Sequence, residues 1–138
     1  MVMKLGFGKY LFFLCLIAIS GCATYHLSTQ SLMEQFADAK HEDKHLMLFT
    51  PPFFFYGSVS GNDIQTLKVY DKNEKEYFIY VDNHTGVRIT KKDSSRRTFY
   101  FNTLLIKDST ITGSKTHFFE WQITPIKLDD ILKIEIQK

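Results

Sequence analysis

The sequence predicts a mainly β domain, a small antiparallel β-barrel or β-sandwich that carries one short N-terminal helix. Three observations predict it. Beyond Lys40, apolar residues recur with period two in runs rich in Val, Ile, Thr, Tyr and Phe, the pattern of half-buried strands. Turn-forming residues punctuate these runs at short intervals. No segment beyond Lys40 keeps a helical period over three turns, so the crossover helices of a parallel sheet are missing from the pattern. The chain has 138 residues, 44% hydrophobic and 15% aromatic, with 17 Lys+Arg against 15 Asp+Glu. That is the composition of one folded domain, neither a disordered polyelectrolyte nor a basic nucleic-acid binder, so no nucleic acid is expected as a partner.

The first element is a leader. Lys4 and Lys9 precede the apolar run 11–19, which gives way to Ser20, Gly21 and Cys22. Positive charge, apolar core and small-residue exit are the parts of a secretory signal. As a helix the nine apolar residues rise only ~14 Å, about half of a ~30 Å hydrocarbon core. Ser20, Thr24, His26 and Ser28 stop the run from extending, so a retained membrane span fits poorly.

The four residues Ile19, Ser20, Gly21 and Cys22 resemble the lipobox of bacterial lipoproteins. That resemblance implies diacylglyceryl transfer to the Cys22 thiol, cleavage between Gly21 and Cys22, and acylation of the new α-amino group. Cys22 would then hold the protein to membrane lipid in the bacterial cell envelope. Ala23 follows the cysteine, not the Asp that in enteric bacteria favours inner-membrane retention, so the expected destination is the outer membrane. Residues 1–21 are accordingly read as signal peptide, 22–30 as lipidated N-terminus and tether, and 31–138 as a single antiparallel β-domain with its N-terminal helix. Removing residues 1–21 leaves 117 residues with 15 basic and 15 acidic side chains, a neutral domain. Cys15 leaves with the signal and Cys22 is modified, so no disulfide is expected, and a domain of this size buries an adequate core unaided.

The helix follows the tether. Ser31 and Glu34 have the spacing of a capping box, Leu27 can staple onto Leu32, and Leu32, Met33 and Phe36 make an apolar stripe that ends near Lys40. Strands are predicted near 45–50, 53–59, 63–70, 76–82, 86–91, 96–106, 116–123 and 131–137. Residues 71–74, 83–86 and 93–95 are turns, each expected to close a hairpin, with Gly86 available for a positive φ. In the last strand Leu132, Ile134 and Ile136 alternate with Lys133, Glu135 and Gln137, one face buried and one wet. Phe119, Trp121 and Ile123 alternate similarly with Glu120, Gln122 and Thr124. The segments Val87 to Lys92, Lys107 to Lys115 and Ile126 to Gln137 are similar in a general way to small envelope lipoproteins, a class that brings no activity with it.

Few residues could carry chemistry. His41, Glu42, Asp43, Lys44 and His45 match H-E-x-x-H, in which two histidines on one helical turn bind zinc and the glutamate is general base. This supports an alternative reading as a metal-dependent hydrolase. Against it, Asp43 and Lys44 are charged where a zincin helix is buried, the helix pattern is ending, and no third ligand among Glu74, Glu76 and His84 lies on a second predicted helix. Thr112 to Thr116 has the end of a phosphate-binding loop without its first glycine, because position 109 is Ser, and is read as a hairpin turn around Gly113. Asn83, His84 and Thr85 have glycosylation spacing and read as turn chemistry. Asp129 and Asp130 are neighbours whose side chains diverge on a strand.

Two patches are candidate interaction sites. Phe53, Phe54, Phe55 and Tyr56 follow the rigid Pro51, Pro52 pair, to be covered on both faces, one of them by the helix bearing Leu32 and Phe36, or else presented to a partner or membrane. Lys91, Lys92, Arg96 and Arg97 cluster at a hairpin tip, suited to a solvated turn, or to anionic headgroups or an acidic partner. The expected function is therefore that of a non-enzymatic envelope lipoprotein, a partner-binding or structural module with no cofactor.

Overall fold

The computed structural model of the chain describes residues 23–117 and 125–138. Its strands are β1 (Thr24–Leu27), β2 (His41–Thr50), β3 (Phe53–Asn62), β4 (Thr66–Tyr70), β5 (Glu76–Tyr80), β6 (Gly86–Lys91), β7 (Arg96–Tyr100), β8 (Leu105–Lys107), β9 (Thr110–Thr112), β10 (Ile126–Lys127) and β11 (Ile131–Gln137). One α-helix, α1 (Thr29–Phe36), and two 3-10 turns, Phe101–Thr103 and Leu128–Asp130, complete the described elements. Strand pairing is antiparallel throughout. The fold is thus the mainly β, antiparallel class with one N-terminal helix. Six strands form the main sheet in the order β5-β4-β1-β11-β6-β7, three form a small sheet β10-β9-β8, and β2 with β3 makes a separate ribbon. The main sheet ends at β5 and β7, and Ile111 and Ile126 of the small sheet share its core, an arrangement that fits a sandwich.

Alternation builds that core. Leu67 and Val69 of β4, Val87 and Ile89 of β6, and Ile134 and Ile136 of β11 all point inward and are buried. Leu32 brings α1 onto them, and Phe36 meets Phe101 edge-on with ring centroids 5.8 Å apart. The predicted alternation of β11 holds from residue 133 but not before it. A register shift between Ile131 and Lys133 turns Ile131 inward and leaves Leu132 65% exposed.

The N-terminal elements differ from expectation in a consistent way. Thr24–Leu27, read as tether, is a central strand, paired with β11 on one side and with β4 through His26 and Tyr70 on the other. Four residues are too few to show a period, so only the pairing reveals the strand. The cap of α1 is Ser28, whose Oγ accepts from Ser31 N at 3.0 Å, and not Ser31. The helix also stops at Phe36, short of Lys40. Gln35 then substitutes for a strand neighbour where β1 has ended: its side chain accepts from Lys68 N at 2.7 Å and donates to Lys68 O at 3.0 Å.

The turns at Asp71–Glu74 and Lys92–Ser95 close the expected hairpins β4–β5 and β6–β7. Residues 83–86 do not. They join β5, a sheet edge, to β6, four positions away, and Gly86 has no positive φ. Four strand spacings are ~19 Å, while six Cα steps reach at most ~20 to 22 Å, so a flat sheet would need a straight connection. The connection instead contains a turn, with Thr85 N donating to Asp82 O at 3.2 Å. The sheet curls to make this possible: Lys138, next after β11, donates Nζ to the Tyr80 carbonyl and to Asp82 Oδ2.

The single strand expected over 96–106 is broken by the 3-10 turn Phe101–Thr103. Two buried asparagines explain the break. Asn62 donates to Phe101 O and Leu104 O, both at 2.9 Å, and Asn102 donates to Asn83 Oδ1 at 2.9 Å. After β8 the hairpin turn is Asp108–Ser109, both at positive φ, rather than the Gly113 region. Gly113 instead lies where a Cβ would come within 3.0 Å of Leu104 Cδ2 and Phe99 Cγ. Thr116 and His117 are not in a strand, and the rest of the strand predicted over 116–123, with Trp121, lies outside the described residues, as does the leader through Cys22.

Candidate functional site

The most distinctive surface is the β2–β3 ribbon. Ten rungs pair His41 with Asn62 at one end and Thr50 with Phe53 at the other. At ~3.4 Å per residue the ribbon is ~31 Å long. Its root is built into the body: Val59 and Asn62 are buried, Asn62 holds the 101–104 turn, and Lys40 N donates to Asp63 Oδ1 at 2.8 Å. In its outer half the face that carries Met47, Phe54 and Tyr56 is exposed, and at the end of the ribbon Phe53 is exposed on the other face, on which Gly57 is buried. Phe53 and Phe54 are neighbours on a strand and so face opposite ways, yet they are 63% and 73% exposed, with Tyr56 at 65% and Met47 at 70%. The helix does not cover this block, because Leu32 and Phe36 go into the main core against Phe101.

The H-E-x-x-H residues lie on the same ribbon. His41 and His45 are on strand β2 and not on a helix. Four residues of strand place them on one face but ~13 Å apart, too far to share a metal ion. His45 is engaged elsewhere, its Nδ1 sharing a 2.9 Å hydrogen bond with the Tyr56 hydroxyl while the two rings stack with centroids 5.8 Å apart. His41 Nε2 lies 3.6 Å from Asp43 Oδ1, and Asp43 accepts from Ser60 Oγ at 3.0 Å. Among the described residues no group of three or more His, Cys, Asp or Glu side chains is arranged to hold a metal.

Lys91, Lys92, Arg96 and Arg97 do meet at one tip, that of β6–β7. They do not converge. Arg96 and Arg97 are strand neighbours on opposite faces, and Lys91 Nζ is bound to Asp93 at 3.1 Å. The Asp93 carboxyl is held down to about 2 by the Ser95 hydroxyl, the Ser95 N–H and the Lys91 ammonium. Lys92 N donates to Asp130 O at 2.8 Å, which brings Asp129 and Asp130 alongside. The tip is therefore a mixed-charge surface.

At the opposite end of the sheet, Thr24, Gln137, Gly86 and Tyr100 form one row across β1, β11, β6 and β7. Asn62 is bound just past this row, at Phe101, and Ala23 O accepts from Lys138 N at 3.1 Å. Ala23 therefore lies at the end of the sheet where the ribbon is rooted, while the basic tip is at the other. The Asp82–Thr85 turn is part of this end: Thr85 is buried and its hydroxyl donates to Asp82 Oδ1 at 2.9 Å, which is turn chemistry as expected. With the Thr85 hydroxyl, Lys138 and the His84 N–H around it, the Asp82 carboxyl falls to about 2.

Sequence reasoning missed Asn62. Its only sequence signal is the turn-like Gly61, Asn62, Asp63 after the alternating Ser58, Val59, Ser60, which marks a strand end but not a buried clamp. It also missed an open cleft of ≈ 580 Å³ beside β1, lined by His26, Tyr70 and Glu74 among others.

No family model, no curated protein and no solved structure gives a significant match to the chain.

Proposed function

We propose that the protein is a bacterial envelope lipoprotein, anchored through lipid on Cys22, whose β-domain acts by contact and not by catalysis. The observation that carries this reading is the sequence Ile19, Ser20, Gly21, Cys22 at the end of the apolar run 11–19. Two features of the domain support it. Ala23, the next residue, is already hydrogen-bonded to Lys138, so acyl chains on Cys22 would hold the β-domain against the bilayer with almost no tether. The exposed ribbon offers a built surface for contact, and its pairing of His45 with Tyr56 leaves the histidines of the hydrolase motif in separate places. One acyl chain binds a membrane only marginally, whereas two or three hold it firmly. The outer membrane is the destination we propose, with an envelope protein as further partner.

The test is labelling with a fatty-acid analogue and the intact mass of the mature chain. A chain that begins at acylated Cys22, with labelling and cleavage both abolished by Cys22→Ser, is expected. An unmodified Cys22, or a mass that includes residues 1–21, overturns the reading.

A further inference from the structure

We infer that the outer half of the β2–β3 ribbon inserts into the membrane interface beside the lipid anchor, an inference that rests on the lipid-anchored reading above. Residues 46–57, both strands of the outer rungs and the loop between them, contain no Asp, Glu, Lys, Arg or His. The same length of ribbon nearer the body, 41–45 paired with 58–62, carries five charged or titratable residues in a row opposite Ser58, Ser60 and Asn62. The ribbon thus changes from polar to apolar at one level along its axis.

The occupant follows from the exposure of the ribbon's end. Phe54 and Tyr56 lie on one face of β3 and Phe53 on the other, and all three are more than half exposed. A partner protein docking on one side would cover Phe54 and Tyr56 and leave Phe53 wet. A bilayer interface surrounds the tip and takes both faces at once, and aromatic residues are the side chains that favour this layer. Position agrees: Ala23 and the root of the ribbon at Asn62 and Phe101 belong to the same end of the sheet, about three strand spacings apart, or ~14 Å. The lipid on Cys22 would bring that end of the domain to the membrane. Insertion is shallow. Among the described residues the outer backbone edges of the ribbon have no ladder partners and need water, so the tip reaches the headgroup and upper acyl region, ~5 to 10 Å deep, and does not span.

The experiment uses the full chain purified from native membranes and reconstituted into vesicles of equal parts phosphatidylcholine and phosphatidylglycerol, with or without bromine on the acyl chains. Phe54→Trp is compared with Phe78→Trp, an exposed position on β5, and with the wild type, which has only Trp121. After subtraction of the wild-type signal, the indole introduced at position 54 should emit at shorter wavelength and lose most of its emission to brominated lipid, whereas the one introduced at position 78 should do neither. If Phe54→Trp loses its β structure by circular dichroism, Phe53→Trp carries the same measurement. Vesicle-bound protein with acylated Cys22 and an unquenched indole at position 54 overturns insertion and leaves the anchor standing. Quenching at position 54 with Cys22 unmodified by mass overturns the anchor and leaves insertion standing. A blue-shifted but unquenched indole there means that protein covers the tip, a second copy or another partner, and also overturns insertion.

Discussion

The Asn62 amide donates to the Phe101 carbonyl at 2.9 Å from a side chain that is only 2% exposed. Its second hydrogen goes to Leu104 O, and its Oδ1 accepts from Ile64 N at 3.1 Å. One side chain therefore joins the ribbon, the 3-10 turn and the loop that leads to β4.

Asn62→Ala takes the side-chain donor from the Leu104 carbonyl and leaves the Phe101 carbonyl with Leu104 N alone, at a cost of about 1 to 3 kcal/mol for a group left unsatisfied. Asn62→Asp should be worse, because its carboxylate would face two carbonyl oxygens. Chemical denaturation is expected to rank the three proteins wild type, Asn62→Ala, Asn62→Asp. Equal midpoints would show that the clamp contributes nothing.

Gly113→Ala forces a methyl to within 3.0 Å of Leu104 and Phe99, which are 0% and 2% exposed and have no room to move. Overpacking of this kind costs about 1 to 3 kcal/mol. Gly86→Ala is the control. Its added Cβ would meet Gln137 at 3.7 Å, an ordinary contact, at a backbone φ that is not positive. Thermal melts should show a clear loss for the first and little change for the second.

Asp82 and Asp93 make stability depend on acid. Both carboxyls lie at about 2 in the folded chain against an ordinary value of 3.8. A depressed folded value means that the charged form is the stabilised one, so the contribution is complete above about pH 4 and disappears as the pH falls through about 2. Asp82→Asn should lower the thermal midpoint at neutral pH and meet the wild-type curve near pH 2. A constant offset across that window would mean that the carboxyl charge is not the cause. Both side chains are exposed, so salt should shrink the effect.

Zinc analysis of the purified chain should give substoichiometric metal, unchanged by His41→Ala combined with His45→Ala. The two histidines are ~13 Å apart on β2. One zinc per chain, lost in the double variant, would require the strand to be rebuilt as a helix.

The legible part of this fold was local. Period two marked β4, β6 and β11 because each has one wet face and one dry face, and Asp71 to Glu74 announced a hairpin because Asp71 Oδ1 accepts from Asn73 N and Lys75 N within the turn itself. What the sequence left hidden was pairing over distance. Residues 83–86 have turn composition, and composition reports a bend without saying which strand comes next. Thr24–Leu27 is a strand because β11 and β4 flank it, not because four residues insist on it. At the candidate site, the apolar block 53–56 was visible as residue types, but whether the helix covered it depended on Phe101 offering Phe36 a better place. Asn62 was invisible because its partners are 39 and 42 residues away.

The position of Ala23 has a mechanical meaning. If Cys22 is fixed in lipid and the rest of the protein is tugged, the load passes directly into β1. That strand is held by four rungs to β11, and by His26 and Tyr70 to β4. A pull along its axis strains these rungs together in shear, instead of opening them one after another like a zipper. An anchor at Cys22 would therefore load the domain through rungs that resist together.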